Sequence, residues 1–272
     1  MNKDSQELIV SEKLVSEDAL STLDRQFPLE GFYSEGEQWH IYFSKSPDLT
    51  KVAEALGVPE KEFRMATLAT RNWNALWESN FKEVVIDNFC RIYADFHDSK
   101  GQAFDYEILI NPKMSFGTGH HATTSMMIER MRELDFSGKT VLDFGTGTAV
   151  LGILAAKMGA KSVIGNDISI HAYENGLENI ARNDLEGIKL FHGGMDALPK
   201  GWSYDLILAN VNRTVLLKEA DALLHSLSPG GELVLSGLLA ADEDLVLQHY
   251  KGKGARLKNR KEKNDWICIS VY

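Results

Sequence analysis

Asp143, Gly145, Gly147 and Asp167 are residues whose types and spacing could do chemistry together, and they share one stretch, TVLDFGTGTAVLGILAAKMGAKSVIGNDIS, from Thr140 to Ser169. Glycine at 145 and 147 lets backbone approach a ligand closely, and a carboxylate twenty residues after Gly147 can accept hydrogen bonds from both hydroxyls of a ribose. A dinucleotide needs a third glycine three positions after the second, and that position is Val150. Asp143 would put negative charge where a pyrophosphate lies. It suits instead a ligand that bears an ammonium and a sulfonium, as S-adenosyl-L-methionine does. Without Asp167, Asp143 and the same glycines would read equally as a ligand loop and as a tight strand-to-helix turn.

The elements that position these residues follow from hydrophobic periodicity. Val141-Leu142 predicts a buried strand, Val150, Leu151, Leu154 and Met158 predict a helix facing a sheet, and Ser162 to Gly165 predicts a second strand that ends at Asp167. A helix over Ile170 to Arg182 follows, with Ile170, Tyr173, Leu177 and Ile180 as its expected core stripe. Strands are expected at Lys189 to His192, at Tyr204 to Val211 and, after the turn Ser228-Pro229-Gly230-Gly231, at Glu232 to Leu238, with a helix over Thr214 to Leu227. Asn210 closes the fourth of these strands, at the carboxyl edge where open α/β sheets bind ligands, and is the catalytic candidate. Asp196 follows the third strand and reads either as a ligand-binding acid or as an ordinary turn residue. Upstream, Phe116, Gly117, Thr118 and Gly119 have the composition of a glycine-rich lid over the substrate. Thr124 stands near the N-cap of a helix whose Met127, Met131 and Leu134 face inward, where its hydroxyl can bond a backbone amide or a ligand carboxylate. His120 and His121 are adjacent and lack an acid or Cys at ligand spacing, so no metal is expected.

At these residues the chain resembles the class I S-adenosylmethionine-dependent methyltransferases, whose first motif, DxGxGxG, runs here from Asp143 to Ala149 with alanine in the third glycine position. FGTGHHATT (Phe116 to Thr124), ILANVNR (Ile207 to Arg213) and WNALWESNF (Trp73 to Phe81) are together similar to the ribosomal protein L-eleven (L11) methyltransferase family, over nearly everything from about Trp73 to the C-terminus. The chain departs from that family at His120 and Ala122, where Thr and Pro are usual. The resemblance implies an α/β fold: a mostly parallel Rossmann-like sheet whose last strand is antiparallel, preceded by a small α+β ferredoxin-like domain for substrate recognition. It implies a protein N-methyltransferase acting on lysine side chains or the N-terminal amine of the large-subunit ribosomal protein. It also places Thr124, Asp143, Gly145, Gly147, Asp167, Asp196 and Asn210 around the cofactor, with Asp196 on the adenine amino group.

The 272 residues divide, on this reading, into a recognition domain at 1–64, a linker helix at 65–80 and a methyltransferase domain at 81–272. Within the first part, Glu7 to Val15 predicts a strand, Ser16 to Phe27 a helix, Gly31 to Tyr33 and Trp39 to Phe43 a hairpin, Pro47 to Leu56 a second helix and Phe63 to Leu68 a last strand. Arg71 to Glu83 reads as a linker helix carrying Trp73, Leu76, Trp77 and Phe81, and Val84 to Ala94 and Tyr106 to Ile110 as strands that extend the catalytic domain. A formal charge of −10 argues against a general grip on nucleic acid, which rests on clustered Lys and Arg. Met1 to Arg64 holds 7 Lys and Arg against 13 Asp and Glu, an imbalance that suits a basic protein partner as well as a plain solvated surface. The basic run Lys251 to Lys263 reads as a solvated hairpin. No apolar run approaches the ~20 residues that cross a membrane, and the first residues lack the order of a signal peptide, so a cytoplasmic monomer is expected. Cys90 and Cys268 are expected to be buried free thiols.

Methyl transfer to nitrogen needs a neutral amine aimed at a sulfonium methyl, and the side-chain carbonyl of Asn210 could accept the N–H bonds that aim it. Residues 209 to 212 read Ala-Asn-Val-Asn, without the Pro-Pro-aromatic that would stack a flipped base, which points to an aliphatic amine. Two other classes stay open at this stage: an NAD-dependent oxidoreductase, and a non-catalytic S-adenosylmethionine-binding protein.

Overall fold

The computed structural model describes residues 6–15, 19–20, 23, 27, 29–43, 45–67, 82–97, 101, 103–111, 113 and 116–272. Two units emerge, Met1–Ser79 and Asn80–Tyr272. The linker helix expected at Arg71 to Glu83 falls almost wholly outside the described residues, as does most of the helix expected at Ser16 to Phe27.

In the first unit, strands β1 (Gln6–Ser11), β2 (Leu29–Glu35), β3 (Gln38–Phe43) and β4 (Arg64–Thr67) form an antiparallel sheet in the order β2-β3-β1-β4. β1 ends earlier than Val15 but pairs along its length, Leu8 opposite Ile41 and Val10 opposite Trp39. Alternation sends Leu8, Val10, Ile41 and Phe43 to one face, where Val52 of helix α1 (Leu49–Leu56) joins them in a core. Asp48 caps α1 at its start, accepting from the Lys51 amide, and Gly57 ends it in the left-handed conformation.

The second unit is built on a seven-stranded sheet. Its strands are β8 (Thr140–Phe144), β9 (Ser162–Asp167), β10 (Ile188–His192), β11 (Tyr204–Asn210), β12 (Leu227–Leu239), β13 (Leu257–Lys263) and β14 (Trp266–Val271), ordered β10-β9-β8-β11-β12-β14-β13. β10 through β12 run parallel, and β14 enters antiparallel between β12 and β13. Both faces are covered, as a parallel sheet requires. Within β11, Leu206 and Leu208 face one core while Ile207 and Ala209 face the other. Helices α2 (Ala122–Met131), α3 (Val150–Lys157), α4 (Ile170–Arg182), α5 (Arg213–His225) and α6 (Glu243–Gly252) supply the cover. The chain reverses its direction of travel across the sheet between β8 and β11, which opens a crevice at the carboxyl ends of those strands.

Four expectations need correction. Val84 to Ala94 is two strands, β5 (Val84–Ile86) and β6 (Cys90–Tyr93), because Asp87 takes a positive φ of 48° and turns the chain back. With β7 (Tyr106–Leu109) they form a separate three-stranded sheet and do not extend the large one. The residues from Ser228 to Gly231 lie within β12 as an irregularity, since Tyr204 pairs with Leu227 while Leu206 pairs with Glu232. Half of the expected α4 stripe is corrected: Ile180 is buried and Tyr173 packs on the core, but Ile170 and Leu177 are 43% and 42% exposed, and Ala172, Asn175, Gly176 and Asn179 complete the buried side.

The C-terminal basic run forms β13 and its approaches, and five of its seven cations are engaged by acids. Lys253 pairs with Asp221, Lys258 with Glu232, Arg260 with Glu243 and Glu262, Lys261 with Glu133 and Lys263 with Glu129. Beneath them Arg130, on α2, is buried: Nε donates to Ser270 Oγ at 3.0 Å and the guanidinium pairs with Glu232 at 2.5 Å and Glu133 at 2.7 Å. This cluster fixes α2 to β12 and β14, and α2 carries Thr124. Cys90 and Cys268 are buried and free, and no described helix is long and apolar enough to cross a membrane. Removing Arg130 would leave Glu232 buried with Lys258 alone. Arg130→Ala should therefore cost about 3 kcal/mol of stability, read as a lowered midpoint in urea with an unchanged slope.

Candidate active site

The loop after β8 is shaped by steric demands from the protein itself. Gly145 and Gly147 have positive φ, 72° and 55°, and a Cβ on either would collide with neighbours: with Val211 Cγ1 at 2.2 Å for Gly145, and with the Phe116 carbonyl oxygen at 2.3 Å for Gly147. Ala149, in the third motif position, is also left-handed, φ 64°, which costs an L-residue roughly 1 kcal/mol and accounts for the usual glycine there. Its methyl is fully buried, and a Cβ on Gly176 of α4 would come within 3.4 Å of it. The loop's amides are also committed, Gly145 and Thr146 donating to the Asn166 carbonyl at 3.0 and 2.9 Å.

Asp143 is buried, and one carboxylate oxygen accepts from Thr146 Oγ1 at 2.7 Å and from the Gly152 amide at 3.0 Å. Burial pushes its pKa up to about 7, opposed by these two hydrogen bonds and aided by the Asp167 charge. It thus ties the loop to the first turns of α3. Asp167, at the tip of β9, is partly exposed; Oδ2 accepts from the Gly147 amide at 3.0 Å and Oδ1 from Ser169 at 2.9 Å. Each oxygen keeps a second lone pair for a hydroxyl. Beside it Ile168 is 76% exposed, an apolar side chain able to cover a flat ring, and one that pattern-reading alone passed over. Asp196 lies on a short 3-10 turn, Met195–Ala197, beyond β10, with its side chain exposed.

Asn210 and Thr124, 86 residues apart, meet: Asn210 Nδ2 donates to Thr124 Oγ1 at 3.2 Å, and both residues are buried. With its nitrogen turned to Thr124, the Asn210 carbonyl oxygen is buried with no partner among the described residues. A buried acceptor without a donor costs about 1 to 3 kcal/mol, which a ligand N–H would relieve. The Asn166 side-chain oxygen is in the same condition.

The lid is latched to the glycine loop. Thr148 donates its amide to the Phe116 carbonyl at 2.9 Å and its hydroxyl to the Gly117 carbonyl at 2.7 Å. Thr118 bonds His120 at 3.0 Å, and Gly119 packs where a Cβ would meet Ile92 at 2.7 Å. Phe116 itself is 55% exposed. His121 caps α2 by accepting from the Thr123 amide, and its ring sits edge-on to Trp266 at 4.6 Å and near Phe116 at 5.5 Å; burial lowers its pKa. The helix cap is thus His121 rather than Thr124. Sequence reasoning missed the asparagines of α4 and its C-cap, Asn175 and Asn179 buried and Asn183 half-buried, which bond the chain leading into the lid. Asn183 bonds both backbone groups of Leu109, Asn179 accepts from the Asn111 amide, and Asn175 donates to the Asn111 carbonyl. Their spacing of four residues was visible; their partners, far off in sequence, were not.

The donor set suits S-adenosyl-L-methionine. Acceptors for hydroxyls and N–H groups ring the crevice, and no Lys or Arg stands at 145–149, 166–170 or 193–197 to receive a phosphate. Comparison with known proteins agrees. Residues 3–272 match the family model described as Ribosomal protein L11 methyltransferase (PrmA). A ribosomal protein L11 methyltransferase of Phocaeicola vulgatus is 37% identical over 209 residues, covering 76% of this chain and 74% of that one. One from Chlorobaculum tepidum is 40% identical over 221 residues, 77% and 73% of the two chains. The crystal structure of a ribosomal protein L11 methylase from Lactobacillus delbrueckii subsp. bulgaricus superposes with a TM-score of 0.64 at 25% identity, covering 71% of this chain and 98% of that one.

Two outcomes follow from this geometry. Folded Asp143 holds its proton to about pH 7, whereas an unfolded chain releases it near the ordinary 3.8, so stability falls as pH rises from about 4 to 7. Asp143→Asn removes that loss: without cofactor, the variant should match the wild type near pH 4 and exceed it by about 4 kcal/mol at pH 8 in denaturant titrations. Asp167→Ala removes two charge-assisted acceptors worth about 1.5 to 3 kcal/mol each, and calorimetry should show cofactor binding weakened at least about tenfold. Unchanged affinity would move the ribose site elsewhere.

Proposed function

The chain belongs to the ribosomal protein L11 methyltransferase family, with S-adenosyl-L-methionine as its cofactor, and on that premise we propose that it methylates lysine side chains or the N-terminal amine of ribosomal protein L11. The observation that carries this reading is the orphaned, buried carbonyl oxygen of Asn210 at the carboxyl edge of β11. When bound, the cofactor supplies an electrophilic methyl on a sulfonium. The protein's task is then to deliver a neutral amine. Deprotonating a free lysine at pH 7 costs about 4.6 kcal/mol and an α-amine near pKa 8 about 1 kcal/mol, and exclusion of water lowers either amine's pKa. Thr124 holds the Asn210 amide so that its carbonyl accepts an amine N–H and directs the lone pair. His121, kept neutral by burial, adds no cation beside an incoming ammonium.

In this proposal Asp167 holds the ribose hydroxyls, Asp196 the adenine amino group, the loop from Gly145 to Gly147 lies against the cofactor, and the lid from Phe116 to Gly119 covers the acceptor. Asp143 acts by holding that loop in shape. Residues 1–64 recognise the protein substrate, 65–80 link, and 81–272 catalyse; the acidity of the first part fits a basic ribosomal protein. We place the reaction in the cytoplasm, carried out by a monomer that needs neither nucleic acid nor membrane.

The test is incubation with methyl-labelled cofactor and purified ribosomal protein L11, followed by mass spectrometry of the labelled sites. Asn210→Ala should slow single-turnover transfer about a hundredfold, while leaving cofactor affinity within about threefold. Asn210→Asp adds a charge that holds the amine protonated and should displace the pH–rate profile upward. Wild-type rates in both variants from about pH 6 to 10 would make Asn210 structural, and the absence of label on L11 would overturn the substrate.

A further inference from the structure

Asn179 joins three segments of the second unit through one side chain. It is fully buried on α4, Oδ1 accepting from the Asn111 amide at 2.7 Å and Nδ2 donating to the Thr148 carbonyl at 3.0 Å. Asn111 leads into the lid, and Thr148 is the residue of the glycine loop that latches Phe116 and Gly117. Thr148 follows Gly147, whose amide donates to Asp167. Asp167 also accepts from Ser169, whose side chain caps the start of α4. The hydrogen bonds therefore link these parts through the glycine loop: Asp167 to the loop, the loop to Phe116 and Gly117 directly and to Asn111 through Asn179, and α4 back to Asp167.

Packing alone does not call for this residue. A buried amide is costly unless both ends are satisfied, and a leucine of similar volume would bury more apolar surface at the same place. Both ends are satisfied here, each by main chain. The neighbouring positions reinforce one arm: Asn175 and Asn183 hold Asn111 and Leu109, and Glu178 accepts from Asn111 Nδ2 at 2.9 Å. Only Asn179 reaches across to the glycine loop among these residues. A ligand that immobilises the loop and Asp167 has thereby met part of the entropic cost of ordering the lid.

We propose that Asn179 is a positioning residue for methyl transfer, transmitting cofactor occupancy at Asp167 and the glycine loop to the substrate lid. The proposal rests on the reading of that loop as the cofactor site, but not on the identity of the methyl acceptor.

Amide hydrogen exchange, followed by mass spectrometry on the full-length protein with and without S-adenosyl-L-homocysteine, tests it. In the wild type the ligand should slow exchange of residues 109–119 at least about tenfold, along with residues 145–149. Asn179→Asp, studied at about pH 9 so that the buried carboxyl is ionised, keeps the acceptor for Asn111 and sets a carboxylate oxygen against the Thr148 carbonyl, cutting the loop arm alone; Asn179→Leu cuts both at any pH. In Asn179→Asp the ligand should bind within about fivefold of wild type by calorimetry and protect 145–149, while its effect on 109–111, the part held through Asn179, falls below about twofold; residues 116–117 keep their direct bonds to Thr148. Methyl transfer by that variant should lose kcat with KM for the acceptor raised, and Asn179→Leu should show the same pattern more strongly. If a folded Asn179→Asp protein retains the tenfold response at 109–111, Asn179 is a packing residue and the proposal fails. Should Asn179→Leu not fold, the Asp variant decides. Failure of the cofactor reading is separable, because it would appear as S-adenosyl-L-homocysteine binding undiminished in Asp167→Ala.

Discussion

The bond from the Gly147 amide to the Asp167 carboxylate joins the ends of two adjacent parallel strands, and the shape of the candidate site depends on it. Register brings the ends together: Phe144 pairs with Asn166, so the loop after β8 and the tip of β9 emerge side by side. The Asn166 carbonyl takes the Gly145 and Thr146 amides, which turns the loop, and Asp167 takes the next free one. Left-handed backbone at Gly145, Gly147 and Ala149 lets successive N–H groups point where this requires. The carboxylate is then held by main chain on both oxygens, so it is oriented before any ligand arrives, and preorganised acceptors cost little to use.

Much of the fold was legible because its signals are local. The βαβ unit has period-marked elements and glycines at turns, and the hairpin around Gly36 and the capped helix after Asp48 have equally short-range signatures. The break at Asp87 was not legible, since a left-handed aspartate between two apolar strands leaves no mark in a hydrophobic profile. Helix α6 lies between the strand expected to end at Leu238 and the basic run from Lys251, a stretch for which no element was expected. The α4 stripe was half misread for a chemical reason: apolar periodicity takes Ile and Leu as inward, whereas much of the inward face here is asparagine and glycine that meet backbone.

The site was legible in residue type and not in connection. Asp167, Asn210 and the glycines announce themselves by spacing relative to strand ends. That Asn210 and Thr124 touch, or that Thr148 holds the lid, depends on how elements far apart in sequence come together. Charge shows the same limit. Lys253 to Lys263 is basic as a string, yet folding distributes its cations among acids of α2, α5, α6 and β12, so the linear run is not a positive patch.

The asparagines of α4 grip Leu109 and Asn111 by their main-chain amides and carbonyls. Such a grip is indifferent to which side chains those two residues carry, but it indexes the chain residue by residue, like teeth on a rack. An apolar groove would let a strand slide until it found another fit; this one does not. At Leu109 sequence drift leaves this grip untouched, and at Asn111 it forfeits only the side-chain bond to Glu178, while a one-residue insertion or deletion before the lid would shift every tooth and present the wrong residues to the glycine loop. Length, more than identity, is what this part of the protein must preserve.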